Sequence, residues 1–154
     1  MRAPSDTQAV ANLVYSYAER LDSGDFEGLA RLFERASFRA SFAGRTEVHR
    51  GYDQVLSVFK RLVRTYEDGT PRTKHQVTNL VVEIDEAAGL ARCRSYFCVL
   101  QQAPGLPLQP IIAGRYHDEF VKDQGTWRFA DRLVLPELLG DQSRHLKADP
   151  LGRA

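Results

Sequence analysis

Cysteine, methionine and tryptophan are scarce in this chain of 154 residues, which holds 2, 1 and 1 of them respectively. Two cysteines are too few for a zinc cluster or a disulfide framework, and no metal site is expected. Cys93 and Cys98 lie five positions apart, so an extended strand points them to opposite faces and a bridge between them is not expected. This cysteine usage fits a reducing compartment, and a cytoplasmic location is expected. An excess of one charge is missing too. The 21 basic and 20 acidic residues leave a net charge of +1, so neither nucleic acid nor a membrane surface is expected as a partner. No apolar run approaches the ~20 residues of a spanning helix. Residues 1–15 lack the apolar stretch of a secretory signal, and none is expected there.

What is present is ordinary in amount and informative in order. Hydrophobic residues make up 43% and charged residues 27%, the usage of an average soluble domain. A chain of this length buries roughly 70% of its unfolded surface and needs no staple. One domain is expected over 1–154, with a core of about 7–139 and a C-terminal tail over 140–154.

The first third has helical periodicity. Ser5 and Gln8 form a capping-box pattern. Val10, Leu13, Val14, Tyr17, Ala18 and Leu21 then fall on one stripe, and Gly24 stops the helix. Asp22 lies at the stripe edge, at the helix end that carries the negative partial charge. A short helix capped by Asp25 follows, then a strand over 37–43, then a helix from Tyr52 to about Tyr66. After the turn at Asp68–Pro71 the period changes. Strands are expected over 74–84, 90–101, 110–121 and 126–135, with a proline-rich loop at 103–107 and a short helix and loose tail from Gly140. Helices first and a strand meander after predict an α+β fold, a cone-shaped barrel of a curved antiparallel or mixed sheet with about three N-terminal helices closing a pocket.

Of the four histidines, His49 and His145 sit in polar stretches and read as solvated bystanders. His75 stands at the head of the first long strand, where alternation puts it on one face with Val77 and Asn79. It is either a buried structural histidine or a catalytic one. Asp22 is either a surface group or a charge kept for a purpose, because it lies at the electrostatically unfavourable helix end. If the two met, the carboxylate would hold one imidazole nitrogen and leave the other free to take a proton from carbon. Tyr17, Tyr96, Arg115 and Arg132 are candidates to steady developing charge on a substrate oxygen. Spacing alone does not bring together residues 22 and 75.

The segments Leu13–Tyr17, Leu21–Asp25 and Leu29–Phe33, with His75–Asn79, Gly114–Phe120 and Gly125–Arg132, resemble the SnoaL-like family of the nuclear-transport-factor-two-like superfamily. The resemblance runs from about Thr7 to Leu139. Within that superfamily the chain is similar to scytalone dehydratase, bile acid 7α-dehydratase and hexachlorocyclohexane dehydrochlorinase. Those enzymes share a cone-shaped α+β barrel and a His–Asp dyad, and Asp22 and His75 match its positions. The resemblance also implies a catalytic role for Tyr17, five residues before the dyad Asp. Tyr96 and Cys98 are nearest to a second scytalone dehydratase histidine that this chain lacks, and Arg132 lies near a cavity arginine of the dehydrochlorinase. Parity groups Arg115 and His117 with Ile111 and Ala113. The expected substrate-binding set is therefore Tyr96, Cys98, Ile111, Ala113, Arg115, Arg132 and Phe59, with Phe38, Phe42 and Phe97 as further walls.

The function expected from these residues and this resemblance is a cofactor-independent lyase, dehydratase-like, or an isomerase acting on a small hydrophobic cyclic molecule. A homodimer or homotrimer is expected. Two alternatives stand beside it. One is a structural partner of a ring-hydroxylating dioxygenase α subunit, like that enzyme's β subunit. The other is a ligand-binding or cyclase-like cone.

Overall fold

A computed structural model describes residues 2–148. Helix α1 spans Asp6–Ser23, and the Ser5 side chain accepts the Gln8 N–H as its cap. The reciprocal half of the capping box is not made, because the Gln8 amide bonds Asn12 instead. The buried stripe is Val10, Val14, Tyr17, Ala18 and Leu21, with Asp22 beside it. Gly24 ends the helix at φ 76°. A Cβ there would lie 2.2 Å from the Gly69 carbonyl oxygen, so both the left-handed backbone and the close approach require glycine. Helix α2 (Phe26–Arg31) is capped by the Asp25 side chain, which accepts the Gly28 N–H.

Strand β1 (Ser37–Phe42) forms a hairpin with β2 (Arg45–Arg50). Val48 is the one apolar residue in 45–50, so the hydrophobic pattern gave no sign of β2. Helix α3 covers Gly51–Leu62 and is shorter than its periodicity suggests. Its continuation is diverted at Val63, which pairs with Leu146 in an antiparallel bridge.

The long strands are β3 (Thr73–Asp85), β4 (Leu90–Ala103), β5 (Leu106–Asp123) and β6 (Thr126–Leu139). They form one sheet in the order β2-β1-β6-β5-β4-β3. β1 and β6 are parallel, and every other pair is antiparallel. The sheet is curved but stays open, with β2 and β3 as its edges. The expected loop at 103–107 is instead a tight hairpin turn, and Pro107 and Pro110 lie inside β5. Pro110 sits beside a register shift between Val99 and Leu100, and Pro136 beside one between Ala113 and Gly114. Prolines are tolerated at such bulges because the ladder is already interrupted. Gly114 is needed for the second. A Cβ there would be 2.1 Å from the Leu135 carbonyl oxygen.

The helices cover the concave face. Phe33 stacks on Phe129 at 4.9 Å and Phe97 on Tyr116 at 4.5 Å between ring centroids, while Phe120 packs tilted against Phe129 at 4.7 Å. Each fully buried ring of this kind contributes about 1.5–3 kcal/mol. Among the described residues no helix is long and apolar enough to cross a membrane.

The tail differs most from expectation. Residues 140–148 contain a turn at 143–145 and no helix, and 149–154 lie outside the described residues. This segment is a strap. The Gly140 N–H donates to the Ile111 carbonyl (2.8 Å), the Arg64 N–H to the His145 carbonyl (2.8 Å) and the Lys147 N–H to the Leu62 carbonyl (2.7 Å).

Candidate active site

The last turn of α1 and the first residues of β3 meet at one point. Arg72, at φ 57°, turns the chain into β3, and Thr73 and His75 then face Asp22. The His75 Nδ1 lies 2.6 Å from one Asp22 carboxylate oxygen. Thr73 donates its hydroxyl to that same oxygen (2.8 Å), and the His75 backbone N–H donates to the other (2.8 Å). The side chains of the pair are only 5% and 8% exposed. Burial opposes ionisation of Asp22, but the His75 hydrogen bond and charge, with the Thr73 hydroxyl, outweigh it and lower its pKa. These donors supply what a carboxylate at a helix C-terminus otherwise lacks. With Nδ1 held, Nε2 is the free nitrogen of His75.

His75 lines a cavity of about 230 Å³. Its walls are mainly apolar: Tyr17, Phe38, Phe59, Phe97 and Tyr116 supply rings, and Leu21, Val58, Val99, Ile112 and Val134 supply aliphatic surface. Three residues of the strap, Gln142, His145 and Leu146, complete the lining. This is the pattern of a small-molecule site, with apolar walls and few polar groups.

Tyr17 is at the centre of the aromatic cluster, within 6.3 Å of Phe33, Phe38, Phe59 and Tyr116. Burial pushes its phenol up to about 12, against the opposing pull of Arg132. It is therefore a protonated phenol at neutral pH. The Tyr116 phenol is also raised, again first by burial.

The structure brings Tyr17, Asp22, His75 and Phe59 together and takes most of the other expected site residues away. Tyr96 is 54% exposed on the outer face of β4, and Cys98 shares its parity. The wall positions of that strand are Phe97 and Val99. On β5 an extra residue at Ile111, opposite the shift between Val99 and Leu100, reverses the parity, so Ile112 and Tyr116 face the cavity and the Ile111, Ala113, Arg115 and His117 set does not line it. Ile111 is buried elsewhere. Arg115 forms an exposed ion pair with Glu137.

Arg132 is wholly buried and does not line the cavity. Its fork binds both Asp118 oxygens at 2.8 Å. The guanidinium lies 3.9 Å from the Tyr116 ring centre and 4.2 Å from that of Tyr17. It is a buttress behind two cavity phenols. Phe42 is on the cavity wall as expected, whereas His145 is no solvated bystander. It is 7% exposed and faces the same cavity as His75. His49 is half-buried on β2. Tyr116, Gln142 and His145 escaped the sequence reading. The first is hidden by a bulge that a period-2 pattern does not reveal. The other two lie in a polar stretch with no periodicity.

Comparisons with known proteins place this geometry in context. The profile of the SnoaL-like domain family matches residues 2–133. Rv3472 from Mycobacterium tuberculosis, of unknown function, is 25% identical with a TM-score of 0.70, over 87% of this chain and 73% of that one. A protein of Novosphingobium aromaticivorans DSM 12444, provisionally assigned as a scytalone dehydratase, is 24% identical with a TM-score of 0.68, over 97% and 95%. The β subunit of a provisionally assigned aromatic-ring-hydroxylating dioxygenase from the same organism is 16% identical with a TM-score of 0.68, over 86% and 89%. No curated protein matches the chain.

Proposed function

The chain belongs to the SnoaL-like domain family, and from that premise we propose that it is a lyase of the dehydratase kind, or an isomerase, acting on a small apolar cyclic substrate. The observation that carries this reading is the buried Asp22–His75 pair, whose imidazole stands at the wall of a largely apolar cavity. A surface pair of this kind would have little purpose, but a buried one fixes the imidazole tautomer and orientation.

The reaction follows from the groups at hand. His75 Nε2 takes a proton from the carbon next to a carbonyl. The C–H electron pair forms a carbon–carbon double bond as the carbonyl π pair moves onto oxygen. Collapse of that enolate expels hydroxide from the next carbon, and the proton on His75 goes to it, so water leaves. For an isomerase the same proton returns to a different carbon. Both outcomes are redox-neutral. Asp22 stabilises the imidazolium formed midway. Tyr17, held as a phenol, donates to a substrate oxygen. A purely structural subunit of a dioxygenase has no need of a base facing an apolar cavity.

The test needs no natural substrate. The protein is incubated with 2-tetralone in D2O, and loss of the α-hydrogen signals is followed by NMR. The wild type is expected to accelerate exchange, and His75→Ala and Asp22→Asn are expected to lose most of it with the fold intact by circular dichroism. Exchange that survives in folded His75→Ala overturns the proposal.

A further inference from the structure

We propose that His145 is a second active-site imidazole, one that donates a hydrogen bond to the carbonyl oxygen of the substrate while His75 takes the adjacent proton. This inference rests on the reading of His75 as the base and narrows the substrate class to cyclic ketones. Four observations lead to it.

His145 lines the same cavity as His75. Its main chain is fully used: the carbonyl accepts from Arg64 and the N–H donates to the Gln142 carbonyl (3.0 Å). The neighbouring Arg144 carbonyl is held from two sides, by the Gln101 amide at 2.9 Å and the Tyr66 hydroxyl. The ring is therefore carried on a rigid support, as a preorganised donor must be. Yet the ring itself is unused. Nδ1 is buried without a partner, and neither ring nitrogen bonds to any described residue.

The tautomer follows from that burial. An unpaired buried N–H is rarer than an unpaired acceptor, so the proton belongs on Nε2 and Nδ1 stays bare. Burial, and then the nearby charge of His75, lower the His145 pKa to about 4. The ring thus stays neutral when His75 becomes imidazolium. A neutral imidazole is a poor base at that pKa but an effective hydrogen-bond donor to an oxygen that gains charge. The two histidines of the cavity have different work because their surroundings differ: one has a carboxylate partner and the other has none.

The probe is 2-naphthol, whose phenolic oxygen imitates the enolate oxygen of 2-tetralone. Binding to wild type, His145→Phe and His145→Gln is measured by calorimetry, and the histidine ring nitrogens are followed by long-range ¹⁵N NMR. We expect His145→Phe to weaken binding by about tenfold or more, and His145→Gln, which restores a donor near Nε2, to recover most of it. The His145 nitrogen signals should move on saturation. Failure of 2-naphthol to bind the wild type, equal affinity in folded His145→Phe, or unmoved His145 signals each overturn the inference. The two readings fail separately. His75-dependent exchange of 2-tetralone that continues at full rate in His145→Phe leaves the base reading intact and overturns this one. Naphthol binding that depends on His145 in a protein that exchanges no 2-tetralone does the reverse.

Discussion

Two buried carboxylates in this protein hold two basic partners, and only one of the two pairs reaches the wall of the apolar cavity. Asp118 and Arg132 are completely enclosed, joined by two parallel 2.8 Å hydrogen bonds and covered by Tyr17 and Tyr116. Burial raises the Asp118 pKa and the Arg132 charge opposes it, while that carboxylate holds the guanidinium protonated. That pair does not line the cavity that His75 faces. Asp22 and His75 are almost as buried, but His75 lines the apolar cavity, and an imidazole, unlike a guanidinium, is a group that can take and return a proton in catalysis. The comparison teaches that burial and pairing alone do not mark an active site. Under the function proposed above, the distinguishing feature is an imidazole at the cavity wall.

The largest expected effect separates the two pairs by activity. His75→Ala should lower exchange of 2-tetralone by about 10²–10⁴-fold, the usual contribution of a general base, with a smaller loss of urea stability than Arg132→Met, because Asp22 keeps the Thr73 hydroxyl and a backbone N–H as donors. Arg132→Met should do the opposite. Leaving Asp118 buried and unpaired costs about 3–5 kcal/mol, read from urea unfolding. Joint replacement by Asp118→Leu and Arg132→Met should recover much of that loss, because an apolar pair needs no compensation. If the Arg132 variant kept full stability, the buttress reading of this pair would be wrong.

The next effect concerns pH. His145 has a folded pKa of about 4, against roughly 6.5 in an unfolded chain. Below about 6.5 the unfolded chain takes up the proton first. Stability is therefore complete above that pH, falls as the pH drops towards 4, and loses nothing further from this group below it. The loss is on the order of 3 kcal/mol, seen as the difference between wild type and His145→Gln in urea midpoints at pH 7 and pH 4. Asp22 acts in a lower window. Its depressed pKa contributes stability above roughly pH 3.9, and this is lost as the pH falls through its lower folded value.

The smallest expected effect tests the support of the dyad. Thr73→Val removes one of the donors to Asp22 and should cost about 1–2 kcal/mol. It should also reduce exchange less than Asp22→Asn. A Thr73 variant as inactive as Asp22→Asn would make the hydroxyl part of the proton chemistry rather than a support.

Helix α1, its Ser5 cap and its Gly24 stop were legible because amphipathic spacing and capping residues are local signals. The same holds for the order of helices and strands and hence for the α+β class. The dyad was legible only through resemblance, since nothing in spacing joins Asp22 to His75. Strand parity served as far as each first bulge. On β3 it grouped His75 and Val77 on one face, which the structure turns inward, and Asn79 at φ 56° then shifts Leu80 to that face. On β5 it failed at Ile111, and the residues assigned to the cavity by that parity, Ala113 and Arg115 among them, do not line it.

Local chemistry by itself therefore determined where this chain turns, which stretches alternate, and that a carboxylate stands at an unfavourable helix end. Tertiary structure alone decided what that carboxylate meets. It brought β3 against the end of α1, gave Asp22 three donors, sealed Arg132 beneath two phenols, and laid a polar tail across the cavity with His145 inside. The physical reason is that bulges, register and strap contacts arise from pairings between distant segments, whose geometry no short-range period encodes.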